Sequence, residues 1–179
     1  MNIYFKGNEI LIRSMSELDA QIINQSFALQ GWNRPIELLS GYFVEQESGQ
    51  RTVAIAEVNG EFAGYVTLLP FAKEGPYSKS MIPEIKDLVV LQKFQNVGIG
   101  NCLMDVVEKI ASEVSDAVSL SVGLHKGYGK AQRMYVLRGY VPDGSGVWFK
   151  GIQLEEYADC VNDDTLNLYF WKEFVKKND

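Results

Sequence analysis

Apolar residues recur along the chain at two different spacings, and the switches between them predict its elements. Ile10 and Ile12 alternate with polar neighbours across Glu9 to Met15, which predicts a first strand, and Ser16 then stands where a helix cap belongs. A helix is predicted from about Glu17 to Leu29. Gly31, Asn33 and Pro35 interrupt it, after which Ile36, Leu39, Phe43 and Val44 recur at helical spacing until Gly49-Gln50. Two helices therefore precede the next strands.

Thr52 to Val58 and Phe62 to Leu69 are rich in β-branched and aromatic residues, and the Asn59-Gly60 pair between them is a strong hairpin signal. After a loop holding Gly75, Pro76 and Pro83, the run Ile85 to Leu91 reads as a buried strand. From Ile99 the apolar positions Leu103, Val106, Val107, Ile110 and Val114 return to helical spacing, and Ala117 to Val122 to strand composition. Lys130 to Leu137 predicts a short helix ending at Gly139, and Val147 to Ile152 and Leu166 to Phe170 predict two late strands. Asp143-Gly144-Ser145-Gly146 reads as a turn. The sum is a mixed α/β (α+β) domain spanning 1–179, without repeats or linkers.

A formal charge of −6 argues against sequence-independent nucleic-acid binding, which needs a basic stripe, and its sign suits a cationic amine. No stretch approaches the roughly 20 apolar residues that span a bilayer, and Met1 to Gly7 lacks a signal-peptide pattern. A cytoplasmic protein that binds no membrane is expected. Cys102 and Cys160 lie far apart without metal or redox spacing and read as reduced, structural thiols. His125 is the only histidine, so neither a Ser-His-Asp triad nor a His-rich metal site is expected.

The segment Gln95-Asn96-Val97-Gly98-Ile99-Gly100 separates a predicted strand from a predicted helix. Such a turn leaves backbone N–H groups unpaired at the helix N-terminus, where the dipole favours negative charge and a pyrophosphate fits. Gly98 and Gly100 let the backbone approach phosphate oxygens, and Gln95 and Asn96 offer neutral donors. Leu103 stands where a dinucleotide fingerprint needs glycine, and no GxxxxGK[ST] match surrounds Gly129-Lys130. Taken alone, the glycine pair serves equally as a tight connection.

With its neighbours, the segment resembles the GNAT superfamily of N-acetyltransferases, whose signature is a hydrophobic strand, a [QR]-x-x-G-x-[GA] loop and a helix; Leu88 to Gly100 matches it. Ala131, Met134, Tyr135, Gly139 and Tyr140 are similar to the family's second segment. Element order extends the likeness from Glu9 to about Phe170. The sequence departs from the pattern at Tyr128, where many members have Asn, and at Asn96 and Val97, where Gly and Lys or Arg are usual.

The resemblance implies a single GNAT-like domain with a mixed central sheet of about six to seven strands. It implies acetyl-CoA as cosubstrate, no metal, and a cofactor site of Val89, Val90, Gln95, Asn96, Val97, Gly98, Ile99, Gly100, Asn101 and Tyr135. In the implied reaction a primary amine of a small molecule or peptide attacks the thioester directly. An alkyl amine is mostly protonated at neutral pH, so a base is needed. The resemblance offers Glu84, with Asp87 as rival and a water relay as a third route. Tyr135 would protonate the leaving thiolate, and a backbone amide near Val90 would stabilise the developing oxyanion. The other reading of the same loop is a non-catalytic acyl-CoA-binding module. Trp32, Tyr42, Phe43, Tyr77 and Trp148 are candidates to line an acceptor pocket, and the acidic Asp159, Asp163 and Asp164 read as a solvated loop. The aromatic stretch Leu166 to Phe174 could support a homodimer.

Overall fold

The computed structural model describes residues 1–175, so the last four residues of the expected 1–179 domain lie outside the described residues. In chain order the elements are β1 (Ile3–Lys6), β2 (Ile10–Ser14), α1 (Asp19–Leu29), α2 (Ile36–Glu47), β3 (Thr52–Val58), β4 (Glu61–Leu69) and β5 (Glu84–Val90), followed by α3 (Ile99–Ser112), β6 (Ala117–Gly123), α4 (Gly129–Leu137), β7 (Val141–Phe149), β8 (Ile152–Gln153) and β9 (Leu166–Glu173). The fold is mixed α/β. Nine strands occur among the described residues, more than the six to seven expected. No helix among them is long and apolar enough to cross a membrane.

The chain divides into two compact units. The first joins Met1–Leu69 to Lys86–Ile110. Its ladder runs β1-β2-β3-β4-β5, and the pairs β1–β2, β2–β3 and β3–β4 are antiparallel. Asn59 and Gly60 take φ of 51° and 80°, the left-handed geometry a two-residue hairpin turn requires. The residues opposite Gly64 and Phe62 are Ala56 and Glu57, so β4 carries one extra residue there. α1 and α2 bury Ile23, Phe27, Leu39 and Tyr42 with Ile55 and Tyr65 of β3 and β4. Each full burial of an aliphatic side chain here stabilises by about 1.5–3 kcal/mol.

The start of α1 differs from expectation. The helix begins at Asp19 rather than near Glu17, and Ser16 does not cap it through its own oxygen. Instead Asp19 Oδ2 accepts from the Ser16 N–H at 2.6 Å and from its hydroxyl at 2.8 Å. Arg13 draws this carboxylate in, which reverses the usual direction of the cap.

The second unit joins Pro70–Ile85 to Ala111–Asp179 and is described to Val175. Glu84 and Ile85 at the start of β5 run parallel to β6, opposite Ser119 and Leu120. The ladder continues β6-β9-β7-β8 with antiparallel pairs, so β9 lies between two strands that precede it in sequence. Asp143 to Gly146 is no separate turn. It forms an outward loop inside β7, because the four residues between Pro142 and Val147 face only one of β9, Tyr169, between Phe170 and Leu168. Gly144 and Gly146, at φ of 83° and 80°, permit that excursion. Cys160 is exposed, so it is not the structural thiol expected of it.

Candidate functional site

The glycine loop is built as its sequence requires. After Leu91, buried at the end of β5, one 3-10 turn spans Gln92–Phe94. Asn96 and Gly98 then take φ of 65° and 92°. The Gly98 carbonyl accepts the Cys102 N–H at 3.0 Å, so Gly98 is the residue from which α3 springs. Ile99, Leu103, Met104 and Val107 are buried and fix the helix to its unit. Asn96, Val97 and Gly98 are exposed, and a Cβ built on Gly98 meets nothing within 4 Å. The open helix N-terminus and its first-turn N–H groups suit an anionic group. Val97 is 64% exposed and brings an apolar side chain where a cation would add charge.

Two expected donors behave differently. Gln95 turns its amide back, and Nε2 donates to the Val90 carbonyl at 3.1 Å, tying the loop to the strand end. Asn96 remains exposed at the loop tip. Val89 and Val90, both partly buried, run beside β4, where the Leu91 N–H donates to the Ala63 carbonyl at 2.9 Å. A side chain at Gly64 would collide with the Val89 carbonyl and crowd Val90 Cα. The glycine lets the two backbones close on each other.

The two candidate bases fall in different units and different environments. Glu84 is 1% exposed and pairs with Ser119 across the parallel ladder of the second unit. Asp87 belongs to the first unit, keeps 31% of its side chain exposed and has φ of 53°, which interrupts strand alternation. The Tyr42 hydroxyl donates to Asp87 Oδ2, and Arg34 Nη2 lies 2.5 Å from the same oxygen. Burial, and then the Asp87 charge, push the Tyr42 phenol well above its ordinary value. Arg51 lies over the Tyr42 ring, 4.2 Å from its centroid.

Arg34 and Tyr65 escaped the sequence reading. The available signal was weak: the break between Gly31 and Pro35 carries one cation, Arg34, just ahead of a helix. Of the expected pocket aromatics, Trp32, Tyr42 and Phe43 pack against the first unit's core, and Trp32 meets Phe27 edge-on at 5.6 Å. Tyr77 and Trp148 belong to the second unit, where the Trp148 indole donates to the Ser145 hydroxyl at 2.8 Å.

Tyr135 is buried on α4 and meets Tyr140 edge-on at 5.8 Å. Burial, and then the nearby Tyr128, hold its phenol far above the ordinary value, so it keeps its proton. Tyr128, standing where the family often has Asn, packs its ring over Gly123 and donates its hydroxyl to Asp164 at 2.9 Å. His125, two residues beyond β6, caps the 3-10 turn that spans Lys126–Tyr128. Its Nδ1 accepts the Gly127 N–H at 3.0 Å and its Nε2 lies 2.9 Å from Asp164. Asp163 closes a local turn by accepting from the Thr165 N–H at 2.8 Å.

A model of the acetyltransferase (GNAT) domain matches residues 21–158. No curated protein matches the chain. Among solved structures, an acetyltransferase of Salmonella typhimurium that modifies the N-terminal serine of ribosomal protein L7/L12 superposes with a TM-score of 0.71 at 11% identity, over 97% of this chain and 100% of that chain. The GNAT-family acetyltransferase of Streptococcus pneumoniae gives 0.64 at 19% identity, over 93% and 100%. The PaiA N-acetyltransferase of Thermoplasma acidophilum in complex with coenzyme A gives 0.65 at 16%, over 92% and 99%. These likenesses concern the fold. With the family model matching most of its length, the chain belongs to the GNAT acetyltransferase family.

Proposed function

We propose that residues 1–179 form one N-acetyltransferase domain that moves an acetyl group from acetyl-CoA to a primary amine of a small molecule or peptide, by direct attack within a ternary complex. The observation that carries this reading is the loop ahead of α3, where Gly98 at φ of 92° faces open space at an exposed helix N-terminus. Gln95 to Asn101 would hold the pyrophosphate through backbone N–H groups, and Val89 and Val90 would flank the arm that leads to the thioester. Acetyl-CoA supplies an activated acyl group, so the chain itself needs no covalent nucleophile. The Salmonella typhimurium relative, which modifies an N-terminal serine, favours a peptide α-amine as acceptor.

As the new C–N bond forms and the C–S bond breaks, one proton leaves nitrogen and one joins sulfur. Tyr135 is proposed as the donor to sulfur, because its phenol is held protonated in a buried setting. Glu84 is proposed as the base because it is a carboxylate at the start of β5, the strand that leads to Val89 and Val90. A second carboxylate, Asp87, is favoured for contact with the amine itself because a third of its side chain remains accessible.

Calorimetric titration with acetyl-CoA and with desulfo-CoA tests the reading. Micromolar binding is expected for the natural protein. Gly98→Ala imposes the backbone strain alone and Gly98→Trp adds bulk over the helix N-terminus, so the tryptophan variant should lose binding well beyond the alanine one. A natural protein that binds no acetyl-CoA sinks the proposal. Binding without acetylation of any amine would select the acyl-CoA-binding module instead.

A further inference from the structure

Arg34 closes the connection between α1 and α2, and its guanidinium is fixed from behind. Nε donates to the Tyr65 hydroxyl at 2.8 Å, Nη2 lies 2.5 Å from Asp87 Oδ2, and the group sits 5.8 Å from the Tyr65 ring centroid. Tyr65 is wholly buried, so this anchor does not move with solvent. Asp87 is held in turn by the Tyr42 hydroxyl, which donates to the same Oδ2. Both contacts fall on one carboxylate oxygen. Oδ1 of Asp87 and Nη1 of Arg34 make no hydrogen bond among the described residues, while each side chain stays partly exposed.

The outcome is an oriented pair, a carboxylate acceptor beside a guanidinium donor, on the strand that also carries Val89 and Val90. An α-amino group has matching chemistry. Its nitrogen is a cation and donor, and a carbonyl oxygen lies three bonds away, through Cα and the carbonyl carbon. The ammonium suits Asp87 Oδ1 and the carbonyl or carboxylate oxygen suits Arg34 Nη1. An alkylamine uses only half of the pair. A polyamine or a polycationic sugar brings a second positive charge towards Arg34 and is repelled.

Resting on the acetyltransferase reading, we propose that Arg34 and Asp87 together select an acceptor whose amine adjoins a carbonyl, namely an amino acid or the N-terminal residue of a peptide. Arg34 is the residue that sets this specificity. Asp87 binds the amine, and the left-handed backbone at Asp87 aims its carboxylate. The guanidinium, locked by Tyr65, reads the carbonyl.

The test compares trialanine amide with hexylamine by following thiol release, alongside calorimetry with acetyl-CoA. The natural protein should prefer trialanine amide. Arg34→Met should lower the ratio of the two kcat/KM values roughly 10- to 100-fold, as expected for loss of a charged hydrogen bond, and Arg34→Lys should fall between. The dissociation constant for acetyl-CoA should stay within about twofold, since a remote acceptor contact is all that changes. Equal losses on both amines, or a natural preference for hexylamine, would overturn the inference. The preference of the unaltered protein decides even where a variant fails to fold. Acetyl-CoA binding with neither amine acetylated overturns the acceptor assignment alone, whereas failure to bind acetyl-CoA overturns the enzyme reading beneath it.

Discussion

Asp19 gathers four contacts into a buried site: Arg13 Nη1 at 2.6 Å and Nη2 at 2.8 Å, with the Ser16 N–H and hydroxyl. Burial alone would raise its pKa, but the hydrogen bonds from Arg13 and Ser16 outweigh that and hold it below the ordinary carboxylate value. A depressed folded pKa contributes stability above the unfolded value near 3.9, lost as pH falls through the folded one. Asp19→Asn should therefore cost about 3–5 kcal/mol in urea unfolding at pH 7, because it leaves Arg13 with Glu57 as its one carboxylate among the described residues. The variant should also lose stability less steeply below pH 4. For Tyr135, removal of the hydroxyl in Tyr135→Phe should lower kcat by about 100-fold or more while the unfolding midpoint barely moves. Since burial raises this phenol, no alkaline loss of activity due to Tyr135 should appear below about pH 10 in a pH–rate profile.

Among the elements, the approach of β4 to β5 at Gly64 is the tightest constraint on the strand that carries Val89 and Val90. The obstacle is backbone rather than a flexible side-chain end, so relief requires moving a strand. Gly64→Ala should destabilise by about 1–3 kcal/mol in denaturant unfolding. A neutral result would mean that β4 and β5 are free to separate. The hairpin of β3 and β4 and the passage from β5 through the glycine loop into α3 were legible, because each follows a local rule of alternation, turn chemistry or helical spacing. β1 was not. Its four residues Ile3–Lys6 carry two exposed apolar side chains, Ile3 and Phe5, and gain strand structure only by pairing with β2. The loop within β7 was hidden for the opposite reason, since Asp-Gly-Ser-Gly has the composition of a turn and only the register with β9 keeps it within a strand.

For the molecule as a whole, the family was readable from two short motifs, whereas the Arg34–Asp87 pair was not. Arg34 and Asp87 are separated by more than fifty positions, and Arg34 lies in no recognisable pattern; tertiary packing on Tyr65 and Tyr42 brings them together. The two acids near the start of β5 look equivalent in sequence and differ only once burial is known.

The position of β9 has a consequence for how the chain is made. β6 ends 43 residues and β7 17 residues before the strand that must fit between them begins, so both emerge from the ribosome first and wait with open edges. Through that interval the nascent second unit is a target for chaperones and for mispairing with its neighbours on a polysome. A chain cut after Gln153 would make that interval permanent, and it should accumulate in the insoluble fraction on expression while the full chain does not.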